Sequence, residues 1–195
     1  MRTYILLLIS TVLISGCTTP SPTAQLKELM QTYHEETLKM NPIGATYQGD
    51  TRYNDYLPNY LSDGVMRKHK TFYKDILQEL NSIADNSLSE EDQLSKETLK
   101  WECETNLMGM EFPRELLPID QMWTLQLTMG QLATGTGAQP FKTVKDYENW
   151  LSRVDDYVVW LSSAKTRMAE GIEQGVVLPK SLIRKVVPQL ASITE

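Results

Sequence analysis

Residues 143–174 carry aromatic and aliphatic side chains that hold the helical period: Tyr147, Trp150, Leu151, Val154, Tyr157, Val158, Leu161, Met168 and Ile172. Only a helical period gathers such positions onto one side of a segment. Thr143-Val144-Lys145-Asp146 offers a capped start and Gly175 a left-handed stop. A helix this long, apolar over a wide arc, must be covered by other elements, so the fold has to be arranged around it. The arc is broader than three short helices would cover, and some apolar surface is expected to remain exposed.

The same period recurs upstream. Residues 23–40 place Leu26, Leu29, Met30, Tyr33, Thr37 and Met40 on one face, with Pro42 closing the segment. Residues 62–84 repeat it through Phe72, Tyr73, Ile76, Leu77, Leu80 and Ile83, with Ser62 as cap. Ser89-Glu90-Glu91-Asp92 resembles a capping box before a helix running through Leu94, Trp101 and Leu107 to about Gly109. A last helix starts near Pro179-Lys180-Ser181 and reaches Pro188. No stretch alternates like a strand, so the expected class is all-α, an irregular helical bundle. Two stretches interrupt it as long ordered loops: 41–61, with four tyrosines among Pro, Gly, Asn and Asp, and 112–142, with one or two helical turns near 125–132.

The first residues set the location. Arg2 precedes an apolar run over residues 4–14, too short to span a hydrocarbon core, which takes about 20 apolar residues in a helix. Ile14-Ser15-Gly16-Cys17 follows at once in the order of a lipobox, ending in the cysteine that receives lipid. An ordinary secretory leader with a chance cysteine is the plainer alternative; the order of the segments favours the lipobox. The division expected is a signal peptide over 1–16, a polar tether over 17–23, and a helical region over 24–195. The partner is then a membrane, reached through lipid on Cys17, and the place is the bacterial cell envelope.

Charge and chemistry narrow the function. Loss of residues 1–16 takes away Arg2 and leaves 18 basic side chains against 25 acidic ones, a formal charge of −7 with no basic stripe, which disfavours nucleic acid. With Cys17 lipidated, Cys103 has no partner for an internal disulfide and reads as a buried small hydrophobe. His34-Glu35-Glu36-Thr37-Leu38 begins like a zinc-binding helix, but Leu38 stands where the second histidine is needed. His69 falls on the apolar stripe of its helix and reads as half-buried. No phosphate loop, nucleophile elbow or cysteine–histidine pairing occurs, so no catalytic or metal-binding residue is assigned. Trp101, Trp150 and Trp160 read as core; Trp123, in a loop, is the one candidate to line a groove.

The remaining candidates are Asp50, Arg52, Tyr53 and Asp55. Gly49 and Asp50 are turn formers, and Arg52 and Asp55 bring opposite charges close together. These residues form either a structural clasp or a grip on a substrate carboxylate, for which a guanidinium fork is suited. The clasp is favoured, because side chains of such turns commonly bond to their own neighbourhood.

The segment Asn41-Pro42-Ile43-Gly44-Ala45-Thr46-Tyr47-Gln48-Gly49-Asp50-Thr51-Arg52-Tyr53-Asn54-Asp55 resembles the opening of a bacterial family, the domain of unknown function family 885. The likeness continues through residues 88–94, through Pro140-Phe141-Lys142-Thr143 with the long helix, and through Gly175-Val176-Val177-Leu178-Pro179-Lys180. The resemblance implies a longer helical protein, often a lipoprotein, similar to zinc carboxypeptidases, whose metal motif lies downstream of the matched region. On that reading the chain is the N-terminal part of an envelope lipoprotein, inactive by itself, acting with a missing C-terminal region, and peptides are its expected partners. Zinc would then belong to the full-length protein, not to this chain. The rival readings are a complete small lipoprotein that binds or supports without catalysis, and a truncated product with no folded role.

The lipobox reading has a direct test. Labelled palmitate should enter the wild-type chain and be absent from Cys17→Ala, which should persist as precursor; equal labelling of both would refute the assignment.

Overall fold

The computed structural model describes residues 20–122 and 124–192. The lipobox with Cys17, and Trp123, lie outside them. Among the described residues every regular element is helical, as the periodicity requires. Helix α1, Pro22–Met40, begins with Pro22 in the first turn and with Ser21 Oγ accepting the Ala24 N–H at 3.3 Å. Its inward side is Leu26, Leu29 and Leu38. Helix α3, Asp63–Ser82, is capped by Ser62 and buries Tyr73, Ile76 and Leu80. Helix α4 is Glu90–Gly109, with Glu90, Glu91 and Asp92 in the first turn, where the helix dipole favours acids. These three helices enclose one core of Leu26, Leu29, Tyr73, Ile76, Leu80, Leu99 and Cys103 among others.

The inward face of α4 differs from the periodic reading. Leu94 is 69% exposed and Trp101 63%, while Lys96, Leu99 and Cys103 face the core. A charged side chain can take an inward place because Lys96 Nζ donates to Ile83 O at 2.7 Å and to Asp85 Oδ1 at 2.5 Å. The cap is also half of the expected box. Ser89 Oγ accepts the Asp92 N–H at 3.1 Å, but the Asp92 carboxylate accepts from Thr23 Oγ1, tying α4 to the first turn of α1.

The stretch 41–61 is less of a loop than its prolines and glycines imply. Asn41 N–H donates to Thr37 O and closes α1, and the Asn41 side chain accepts the Gly44 N–H at 3.0 Å and opens α2, Pro42–Tyr47. Pro42 therefore starts one helix immediately after another has stopped, as its fixed φ allows in a first turn. A 3-10 turn follows at Thr51–Tyr53. The second interrupted stretch likewise holds α5, Leu125–Ala133, and a 3-10 turn at Arg114–Leu116.

Helix α6, Val144–Gln174, has the expected reciprocal box, Thr143 Oγ1 accepting the Asp146 N–H and Asp146 accepting the Thr143 N–H. It stops at Gly175, whose φ of 72° is in the left-handed region. Helix α7, Lys180–Ser192, runs through Pro188. A second core lies along α6: Tyr157, Trp160 and Ala164 pack against Leu57, Leu61, Ile119, Met129, Leu132 and Val186. The opposite side of α6 leaves Val144, Tyr147, Leu151, Val158, Val159 and Ile172 each more than half exposed, the uncovered part of the arc foreseen from sequence. No helix among the described residues is long and apolar enough to cross a membrane.

Two helical glycines give opposite expectations. A Cβ on buried Gly171 would lie 2.7 Å from Val176 O and 3.1 Å from Leu116 O, both backbone atoms. A Cβ on Gly130, inside α5, would meet nothing within 4 Å. Gly130→Ala should raise stability by about 0.5–1 kcal/mol through helix propensity alone. Gly171→Ala should lower it by about 1–3 kcal/mol through overpacking. Urea midpoints decide, and midpoints moving the same way in both variants would refute the packing argument.

Candidate functional site

The stretch 53–63 is strapped to α6 by polar side chains that follow the helical period. Arg153 has no exposed surface. Its Nη2 donates to Tyr53 O at 2.5 Å and Thr46 Oγ1 at 3.1 Å, its Nη1 to Gln139 Oε1 at 2.7 Å, and its Nε to Tyr56 O at 3.3 Å. Further along the helix Asp156 accepts the Leu57 N–H at 2.9 Å and Ser163 Oγ accepts from Asn59 at 2.7 Å. Arg167 donates to Leu61 O and pairs with Asp63 and Glu170. Burial lowers the Arg153 pKa to about 10, with Asp55 and Asp156 acting the other way, so the group is charged at neutral pH. Arg153 is invisible to a pattern built on the apolar residues of this helix alone. Yet Trp150, Arg153, Tyr157 and Trp160 keep the same spacing, and a charged residue in phase with a buried stripe is the signal that would have found it.

The four candidates from sequence are neighbours with different roles. Arg52 Nε and Nη2 donate to the Asp50 carboxylate at 3.0 and 2.6 Å, and Nη1 donates to Glu35 on α1 at 2.8 Å. Asp50 Oδ1 also accepts the Arg52 N–H at 3.0 Å. The bonds from Arg52 hold the Asp50 carboxyl below its usual range. The Tyr53 ring lies under the Arg52 guanidinium, 5.4 Å away, and the Tyr53 carbonyl is a partner of Arg153. Asp55 is exposed and acts on Arg153 through its charge.

Between the two cores run open clefts. One, of about 600 Å³, has Met66, Arg67 and Lys70 of α3 on one side and Phe112, Arg114 and Leu117 on the other. A second, of about 750 Å³, lies beside it and includes Asn41, Gln48, His69 and Asn106. Tyr60 and Arg114 line both. His69 is half-buried as expected, and burial pulls its pKa below the ordinary value, leaving a neutral imidazole at neutral pH.

The donor set here does not fit zinc. Among the described residues no group of three His, Cys, Asp or Glu side chains could hold a metal ion. His34 is exposed on α1. Cys103 is fully buried and its thiol is pushed up to about 11, first by burial and then by the charge of Glu102, so it is no thiolate ligand.

These features define an all-helical protein with two small cores and a cleft between them. Over residues 42–195 the chain matches a family described as bacterial protein of unknown function (DUF885), and it belongs to that family. No curated protein and no solved structure matches it.

Replacing Arg153 should unfasten the strap. Arg153→Met leaves the Thr46, Gln139, Tyr53 and Tyr56 acceptors without their donor and should cost about 3 kcal/mol or more. Arg153→Lys restores the charge without the fork and should recover part of that loss. Equal urea midpoints for Arg153→Met and wild type would show the bonds to be energetically idle.

Proposed function

We propose that this chain is the lipid-anchored, helical N-terminal part of a peptide-handling protein of the bacterial envelope, similar to zinc metallopeptidases, and that its own task is to form a wall of the peptide cleft. One observation carries the reading: the open clefts between the two cores, lined by aromatic and amide side chains and by charges of both signs, have the volume and chemistry for a peptide chain. Family membership and the lipobox order support the remainder. The metal chemistry of such a protein would lie outside the described residues, because the donor set fits no metal. The Asp50–Arg52–Glu35 group serves as a clasp, since its guanidinium fork is already committed to two carboxylates.

A photo-crosslinking side chain tests the cleft. Placed at Tyr60 in the full chain, it should capture peptides from a mixed digest, whereas at exposed Leu151 on the outer side of α6 it should not. Equal capture at both positions would refute the cleft, and hydrolysis of the digest by the pure chain would refute the non-catalytic wall. Arg52→Lys should lower the melting temperature and leave capture at Tyr60 unchanged. That loss should be full above the usual carboxylate range and fade as pH falls below it through the depressed folded pKa of Asp50, where its contribution to stability is lost. Capture lost with the melting temperature intact would mark Arg52 as a ligand contact instead.

A further inference from the structure

Helix α6 has an outer face that no described element covers. Val144, Leu151, Val158 and Ile172 are 77, 62, 59 and 69% exposed. They stand on one series of seven-residue steps, whose remaining place, between Val158 and Ile172, is taken by exposed Lys165. Seven residues depart by about 20° from two full turns, so the series winds slowly along the helix as one stripe about 42 Å long. The stripe is symmetric in position about Val158: Leu151 and Lys165 are one step away, Val144 and Ile172 two. The charges beside it are not symmetric. Exposed Glu148 and Asp155 flank Leu151, one turn before it and one turn after. Lys165 has no acidic residue three or four places away on its own helix. None of the three is in an ion pair among the described residues.

From this arrangement we infer that the outer face of α6 is an interface with a second copy of the chain, the two helices lying antiparallel about a twofold axis at Val158. A twofold contact requires a surface complementary to itself, and this register supplies one. Val158 meets Val158, and Val144 meets Ile172. Lys165 lies across from Leu151 of the second copy, between Glu148 and Asp155; its stem covers the leucine while its ammonium reaches the carboxylates. The twofold brings like flanks together, so Glu148 and Asp155 come beside Ala169 and Ser162, which are small and neutral. A parallel pair would instead set Lys165 against Lys165. The outer stripe of α4 shows the contrast. Leu94, Trp101 and Met108 are also exposed and seven apart, but the same operation about Trp101 would put Glu97 beside Glu104 of the second copy. That face repels its own kind. No residue of the α6 stripe lines either cleft, so the pairing does not depend on the peptide-handling reading.

Disulfide trapping on the purified full chain provides the test. Helices packed about 8–10 Å apart bring the two Val158 Cα atoms within about 5 Å, inside the reach of a disulfide. In the same register the two Leu151 Cα atoms are about 21 Å apart along the helices. Native Cys103 is fully buried and does not compete. On mild oxidation Val158→Cys should therefore yield at least about tenfold more linked dimer than Leu151→Cys, Val159→Cys or the wild-type chain. Adding Lys165→Glu to Val158→Cys should cut the yield about tenfold, and adding Glu148→Lys and Asp155→Lys to that variant should restore it. The substituted side chains are all exposed, so melting temperatures should stay level. Equal yields from Val158→Cys and Leu151→Cys mark a parallel pair and overturn the antiparallel register. A yield indifferent to the charge reversals overturns the complementarity on which the inference stands. An unreactive Val158→Cys, as a face covered by another protein or another segment would give, overturns the self-pairing altogether.

Discussion

The guanidinium of Arg153 is the interaction on which the arrangement depends. A buried cation is tolerable only if nearly every donor finds an acceptor, and here the acceptors come from three separate stretches: α2 through Thr46, the following turns through Tyr53 and Tyr56, and the lead into α6 through Gln139. Two of those acceptors are main-chain carbonyls, those of Tyr53 and Tyr56, and Tyr53 O also accepts the Tyr56 N–H in a turn. The irregular stretch after α2 thus satisfies its backbone by leaning on α6, and α6 satisfies its buried charge by holding that stretch. Neither would be stable in its place without the other.

The cleft follows from this fastening. With 53–63 held along α6, Tyr60 is set against Trp160, their rings 5.7 Å apart, and also stands at the junction of the two clefts. The Arg167–Asp63 pair then fixes the start of α3 relative to α6, which sets where Arg67 and Lys70 emerge. The wall opposite, from Phe112 to Leu117, reaches α6 through Leu116, whose carbonyl would lie 3.1 Å from a Cβ on Gly171, with Val176 O at 2.7 Å. The width of the cleft is therefore determined by polar fastenings at one side and by a close backbone approach at the other.

Much of this was legible in the residues, and the parts that were not share a cause. Ser62, Ser89, Thr143 and Gly175 marked helix ends because capping is local chemistry. The inward face of α4 was misjudged because Lys96 occupies it, and a lysine is read as outward unless its acceptors, Ile83 O and Asp85, are known. Helix α2 was hidden by Pro42, whose role depends on whether Asn41 caps behind it. Arg153 was hidden for the same reason as Lys96. The Arg52 group was visible as a cluster, but its third member, Glu35, comes from another helix. The cleft was wholly invisible, since α3 and the segment after α4 contribute its walls from positions remote in the chain.

Asn41 has a consequence for how the molecule comes apart. It terminates a helix of the first core and initiates α2, whose Ile43 packs against the second. No residue intervenes that could act as a slack joint, and Gly44 is so close that a Cβ there would lie 2.5 Å from the Asn41 amide. Fraying of α1 at that end removes the cap of α2, and loss of α2 takes away Thr46, a partner of the buried arginine. Two cores of this size, if joined by a pliant linker, would open one after the other as separate foldons; joined through a shared cap, they are coupled into a single cooperative unit.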